Sequence, residues 1–153
     1  MRSFMVSVLA LTTLWAHQSV VNVEALQEAA NSGDAQAQFD LGFVYGQGIG
    51  VSPDGQKARH WWKRSATSGH AGAQANLGVM LMVDESYEEA ADWLQKAVDQ
   101  NNTLAMCHLA ELYATGQGVD EDRQKAAQLA HRGFEAGQRR CQNVWYLYRL
   151  DNP

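Results

Sequence analysis

Basic residues are sparse in this chain. The largest runs are Lys63-Arg64 and Arg139-Arg140, and the net charge is −5. A polyanion partner needs a basic stripe to displace counterions, so this pattern argues against nucleic-acid binding. Catalytic signatures are also missing. The sequence holds no Ser-x-x-Lys, no Gly-x-Ser-x-Gly elbow and no His-x-x-x-His or His-Glu-x-x-His pair. Ser65, Ser68 and Ser86 are the candidate nucleophiles, and none has an evident general base. His60, His70, His108 and His131 show no metal-ligand spacing, so no metal and no cofactor is expected. Gly46 to Gly50 reads GlyGlnGlyIleGly but lacks the strand and the Lys-Ser/Thr of a phosphate-binding loop.

Long apolar runs are confined to the first residues, MRSFMVSVLALTTLWA, where one Arg precedes about a dozen apolar positions. This stretch has the form of a secretory signal peptide over residues 1–16, with a cleavage point between 16 and 25. It falls short of the roughly 20 residues a spanning helix needs, although an uncleaved anchor is the second reading. Export implies a periplasmic or secreted location. No Cys follows the run, so a lipid anchor is not expected.

What the chain does have is a phrase repeated at near-constant spacing. AQFDLGFVYGQGIGVSPDGQKARHWW starts at Ala37, AQANLGVMLMVDESYEEAADWL at Ala73, and AMCHLAELYATGQGVDEDRQKAAQLA at Ala105; a truncated copy starts at Cys141. Four residues before each copy stand Gly33, Gly69, Asn101 and Gly137, giving periods of 36, 32 and 36. Such periods mark stacked supersecondary units, none able to bury its own core. Gly and Asn are the residues that end a helix in a left-handed turn. A second column, Asp54, Ser86 and Asp122, suits helix starts, and Ser86 with Glu89 has capping-box spacing. Each unit is therefore a first helix and a second helix. The first carries Ala37, Leu41 and Tyr45 (then Ala73, Leu77, Leu81; then Ala105, Leu109, Tyr113) on one face, with small Gly42, Gly78 or Ala110 beside the Leu. The second carries Ala58 and Trp61, Ala90 and Trp93, Ala126 and Leu129. The middle unit lacks four residues between its helices, and Gly48 and Gly50 align with Gly116 and Gly118.

Ala-x-x-x-Leu-Gly-x-x-Tyr, Gly-x-Gly-Val and Lys-Ala-x-x-Trp together resemble the Sel-one-like repeat, a relative of the tetratricopeptide repeat, over about residues 33 to 149. The resemblance implies an all-α protein, an α-solenoid of antiparallel helix pairs. Its units would be an N-terminal capping helix over 22–32, repeats over 33–68, 69–100 and 101–136, and a C-terminal capping helix over 137–153. In that cap the small column becomes Tyr146 and the Leu column Trp145, since no following helix demands a small residue. The resemblance also implies a protein-interaction scaffold rather than an enzyme, with a protein partner in the periplasm or cell envelope. Some small exported relatives look like immunity proteins that cap a secreted effector. Cysteine-rich relatives suggest a rival, a β-lactamase-like or cell-wall enzyme, but they carry a cysteine pair in every repeat and this chain does not. A structural envelope scaffold is the third reading.

Candidate partner-binding residues are aromatics outside the packing columns and an acidic edge. Trp62, Tyr87 and Tyr146 are either interface anchors or packing residues. Glu85 and Glu88, within Asp84 to Asp92, are either a solvated helix start or an edge that steers a basic partner. Cys107 lies two residues past the Ala column, whereas Cys141 lies in it. At about 100° per residue these positions point about 200° apart, so two separate buried cysteines are expected unless the fourth helix is rotated or slipped. Asn101-Asn102-Thr103 matches a glycosylation pattern but falls on a turn where Asn already has a structural use.

Overall fold

A computed structural model of the chain describes residues 22–150; the proposed signal segment lies outside the described residues. The described residues form eight helices: α1 Val23–Asn31, α2 Ala35–Gln47, α3 Gly55–Thr67, α4 Ala71–Val83, α5 Tyr87–Asp99, α6 Thr103–Thr115, α7 Arg123–Glu135 and α8 Arg139–Leu147. None is long and apolar enough to cross a membrane. α2/α3, α4/α5 and α6/α7 are helix hairpins, each packed on the next; α1 covers α2, and α8 covers α6 and α7. The result is the α-solenoid that the periodicity demands.

One two-residue device joins every unit. Gly33, Gly69, Asn101 and Gly137 take φ of 102°, 91°, 61° and 90°. Their amides bond back to Ala30, Ala66, Val98 and Phe134, and the next amide bonds to the carbonyl five residues behind it. That next residue then caps the following first helix. Asp34, His70 and Asn102 accept the amides of Ala37, Ala73 and Ala105, and Gln138 accepts that of Arg140. The ring of His70 accepts through Nδ1, stacks on Phe39 and bonds Gln36 through Nε2 at 2.9 Å. Its role is that of a helix cap.

Between first and second helices, Asp54 and Asp122 donate their amides to the Tyr45 and Tyr113 carbonyls, and Ser86 does the same to Leu81. The four-residue deletion therefore preserves this bond, with Glu85 in the left-handed region at φ 58°. Asp54 and Asp122 cap their helices through their side chains; Ser86 does not. The expected capping box at Ser86 is absent because the short loop leaves it at φ −85°, ψ 61°, away from the extended backbone of Asp54 at φ −147°, ψ 98°.

The packing columns exchange volume across each hairpin. A Cβ at Gly42 would clash with the Trp62 indole, and one at Gly78 would sit 2.6 Å from Leu94 Cγ. In the third repeat the same positions are Ala110 and Ala130, both fully buried. Tyr45 and Tyr113 carry Lys57 and Lys125 over their rings at 5.0 and 4.2 Å. In the second repeat this pair is replaced at both places at once, by Leu81 and Glu89. Arg64 covers Trp61 and Lys96 covers Trp93 one helical turn on. Trp61 is buried at 6% exposure, while Trp93 is half-buried.

Neighbouring units are also pinned directly. Gln38 and Gln74 are buried and donate to the Ala30 and Ala66 carbonyls at the ends of the preceding helices, beside the Gly33 and Gly69 amides that bond there too. Cys107 and Cys141 form a disulfide, contrary to the expectation of two separate thiols. Two separate thiols follow only if both helices present the same face. In a stack, each first helix meets its predecessor with one face and its successor with the opposite face, so a separation near 200° is what contact between α6 and α8 requires. Gly133 makes room for the bridge, since a Cβ there would clash with Cys141 Sγ.

Candidate interaction surface

First helices touch one another, α4 with α6 and α6 with α8, and no comparable contact joins second helices among the described residues. In this part of the stack the first helices are the ones that meet. On their side lies an open recess of about 390 Å3, lined by Val79, Met82, Val83, Tyr87, His108, Glu111, Gln117 and Arg140.

Its polar floor converges on Glu111. The Arg140 guanidinium lies 3.5 Å from one carboxylate oxygen, and the Tyr148 hydroxyl donates to the other at 3.3 Å. Partial burial, with the Glu111 charge beside it, holds the Tyr148 hydroxyl above its usual pKa. His108 Nδ1 is 3.8 Å from Glu111, a distance compatible with an ion pair. Burial and then the Arg140 charge push the imidazole down to about 4, so it is neutral near pH 7 and Arg140 is the cation that balances Glu111. His108 Nδ1 is buried with no hydrogen-bond partner among the described residues. At the mouth of the recess Val83 is 79% exposed, the barest large apolar side chain among the described residues.

The sequence candidates scatter over the molecule. Trp62 is half-buried within the first hairpin, against Gly42, with Nε1 donating to the Phe39 carbonyl at 3.2 Å and its ring edge-on to Phe43. Of its two readings, packing is what the contacts describe. Tyr87 is half-buried and belongs to two places at once: it lines the recess and also a second open hollow of about 410 Å3 with Glu85, Glu88, Glu89 and Gly118. Glu85 and Glu88 are exposed on that edge. Asp84, in the same acidic run, is bonded to Arg59, and this hydrogen bond holds its carboxyl below the usual range. Tyr146 is 68% exposed on α8, where it lines a groove with Phe134 and Trp145 and not the recess. The recess and the acidic edge are thus brought together by Tyr87, and Tyr146 is separate.

His108, Glu111, Arg140, Tyr148 and Val83 were not singled out by sequence. Two signals pointed to them. Arg140 places a cation in the first turn of a helix, against the dipole, and Val83 is a large apolar residue abutting an acidic loop. Of the candidate nucleophiles, Ser65 is fully buried and its hydroxyl donates to the Ala35 carbonyl at 2.6 Å. Ser68 and Ser86 are exposed flanking residues of α3 and α5. Among the described residues no three His, Cys, Asp or Glu side chains gather as a metal site would.

Comparison with known proteins agrees with this architecture. A family model described as the Sel1 repeat matches residues 35–70, 71–102 and 103–138. The chain is 34% identical over 88 residues to a putative sel1-like repeat-containing protein of Acanthamoeba polyphaga mimivirus, covering 58% of this chain and 16% of that one. It is 42% identical over 45 residues to the secretory immunoglobulin A-binding protein EsiB of Escherichia coli, covering 29% of this chain and 9% of that one. It therefore spans a small fraction of these relatives. Among solved structures, a protective antigen of uropathogenic Escherichia coli with an SLR fold superposes with a TM-score of 0.73 at 32% identity, over 80% of this chain and 27% of that one. A Sel1 repeat protein from Oxalobacter formigenes gives 0.72 at 26% identity, over 86% of this chain and 98% of that one. With three matched repeats covering most of the chain and helix pairs stacked as in these structures, the chain belongs to the Sel1 repeat family.

Proposed function

We propose that the protein is an exported protein-interaction module of the periplasm or cell envelope, and that a partner segment lies across its first-helix face. The observation that carries this reading is the recess at α4, α6 and α8, with bare Val83 at its mouth and the Glu111–Arg140–Tyr148 group on its floor. Tyr87 continues that surface into the acidic edge at Glu85 and Glu88. The partner segment accordingly combines an apolar side chain for Val83 and Met82 with a basic residue for the edge. Export rests on the form of residues 1–16. A relative named for binding secretory immunoglobulin A is in keeping with protein binding outside the cytoplasm. An immunity or adaptor role toward a secreted effector is the specific form of this function.

The test is affinity capture from an envelope extract of the source organism, with the chain and its Val83→Arg variant as baits. The expected result is one stoichiometric partner that the variant loses. A partner retained by Val83→Arg contradicts the surface, and the absence of any stoichiometric partner contradicts the function.

A further inference from the structure

The helices run second-type first and first-type last. α1 ends in the same turn as α3, α5 and α7, and α8 begins after it. Each is half of a repeat whose other half is not among the described residues. On α8 this leaves bare a position that is buried on every other first helix. Gly42 lies under Trp62, and Gly78 and Ala110 are buried likewise, but their counterpart Tyr146 is 68% exposed. Beside it, between α7 and α8, is a groove of about 200 Å3 lined in part by Phe134 and Trp145.

The two ends match in bulk. In the internal hairpins the first helix offers Leu41-Gly42, Leu77-Gly78 or Leu109-Ala110, and the second answers with Trp61-Trp62, Trp93-Leu94 or Leu129-Ala130. Volume shifts from second helix to first along the stack. At the ends the shift is complete, for α8 carries Trp145-Tyr146 and the same positions of α1 are Ala25-Leu26. Ala25 is exposed, as a contact left open would be.

The ends also match in charge. Glu28 of α1 occupies the column that is Arg64, Lys96 and Arg132 elsewhere. Arg139 and Arg140 open α8 where the other first helices begin Ala35-Gln36, Ala71-Gly72 and Thr103-Leu104, all uncharged. In a hairpin the end of the second helix lies beside the start of the first, as the Ser65–Ala35 hydrogen bond shows. Glu28 and Arg139 would meet there, and the pairing gives a reason for a cation at a helix start, where the dipole disfavours it.

We propose that copies of this chain associate head to tail, α1 of one copy packing along α8 of the next, beside the α7–α8 groove, and completing a fourth repeat. The contact is heterologous and repeats the unit-to-unit step of the stack, so copies add end to end, as an open chain or, where the rotation closes, a ring.

Sedimentation velocity over a concentration series, on the oxidised chain, tests this. The expected result is mass rising with concentration, and association weakened about tenfold or more by either Ala25→Arg or Tyr146→Arg, each at an exposed anchor. Each variant keeps one intact end, so an equimolar mixture forms a one-to-one dimer and nothing larger. Circular dichroism confirms that both variants fold. If Tyr146→Arg misfolds, Arg139→Glu replaces it, weakening association that Glu28→Arg in the same chain restores. A wild-type chain that stays monomeric at ~1 mM overturns the proposal, where a weak specific contact would already be populated. Variants that still associate alone, or a mixture that stays monomeric, overturn it equally.

Discussion

Gly42 and Trp62 form one packing unit: the indole lies against the Gly42 Cα and fixes its Nε1 proton on the Phe39 carbonyl. A methyl group at Gly42 must displace a ring that is held by a hydrogen bond. Gly42→Ala is expected to destabilise the fold by about 1–3 kcal/mol, the range for overpacking. Combining it with Trp62→Ala recreates the Ala110–Ala130 pair of the third repeat. Urea unfolding should therefore show the double variant more stable than the two single losses added, by about 0.5–3 kcal/mol. Simple additivity would mean that the columns do not exchange volume.

The Cys107–Cys141 bridge closes a segment with a sequence separation of 34. Loop closure on that scale restricts the unfolded chain by roughly 3–4 kcal/mol. Thermal unfolding with and without reductant is expected to show a clear loss of stability on reduction, matched by the Cys107→Ala, Cys141→Ala double variant. An unchanged midpoint would show the bridge absent in solution.

His108 is held near 4, below its ordinary 6.5, first by burial and then by Arg140. The neutral ring is what the fold favours. Between pH 6.5 and 4 the unfolded chain binds a proton that the folded chain does not, so stability rises with pH through that window and falls as pH drops. The span is at most about 3 kcal/mol. His108→Asn, which copies Asn76 at the same column, should remove most of this dependence between pH 7 and pH 5 in urea titrations. A slope that survives the substitution would assign it to other groups.

Asn101 holds the left-handed turn at φ 61° where the other units use Gly. Asn101→Gly is expected to be neutral or stabilising, and Asn101→Ala to cost about 1 kcal/mol. Ser86→Ala should cost under about 0.5 kcal/mol and Asp122→Ala about 1 kcal/mol, since only Asp122 bonds the helix start. Equal losses at Ser86 and Asp122 would restore the capping box that the sequence suggested.

Features read from a column of residues were legible in the sequence, and features set by the stacking of units were not. The left-handed turns follow from Gly33, Gly69, Asn101 and Gly137 because backbone stereochemistry is local. The disulfide was missed because it depends on which faces of α6 and α8 meet. Sequence leaves Trp62 open between anchor and packing residue, and its contact with Gly42, in a column that runs Gly42, Gly78 and Ala110, describes packing. The recess joins residues from four helices and a loop, and along the chain only the oddly placed Arg140 and the apolar Val83 beside an acidic loop mark it.

The measurement that bears most directly on the interaction surface is site-specific photocrosslinking in the source organism, with the probe at Val83 on the first-helix side or at exposed Asp92 on α5. A discrete adduct from Val83 and none from Asp92 is the predicted result. Adducts from Asp92 alone, or equally from both, would contradict a partner held on the first-helix face.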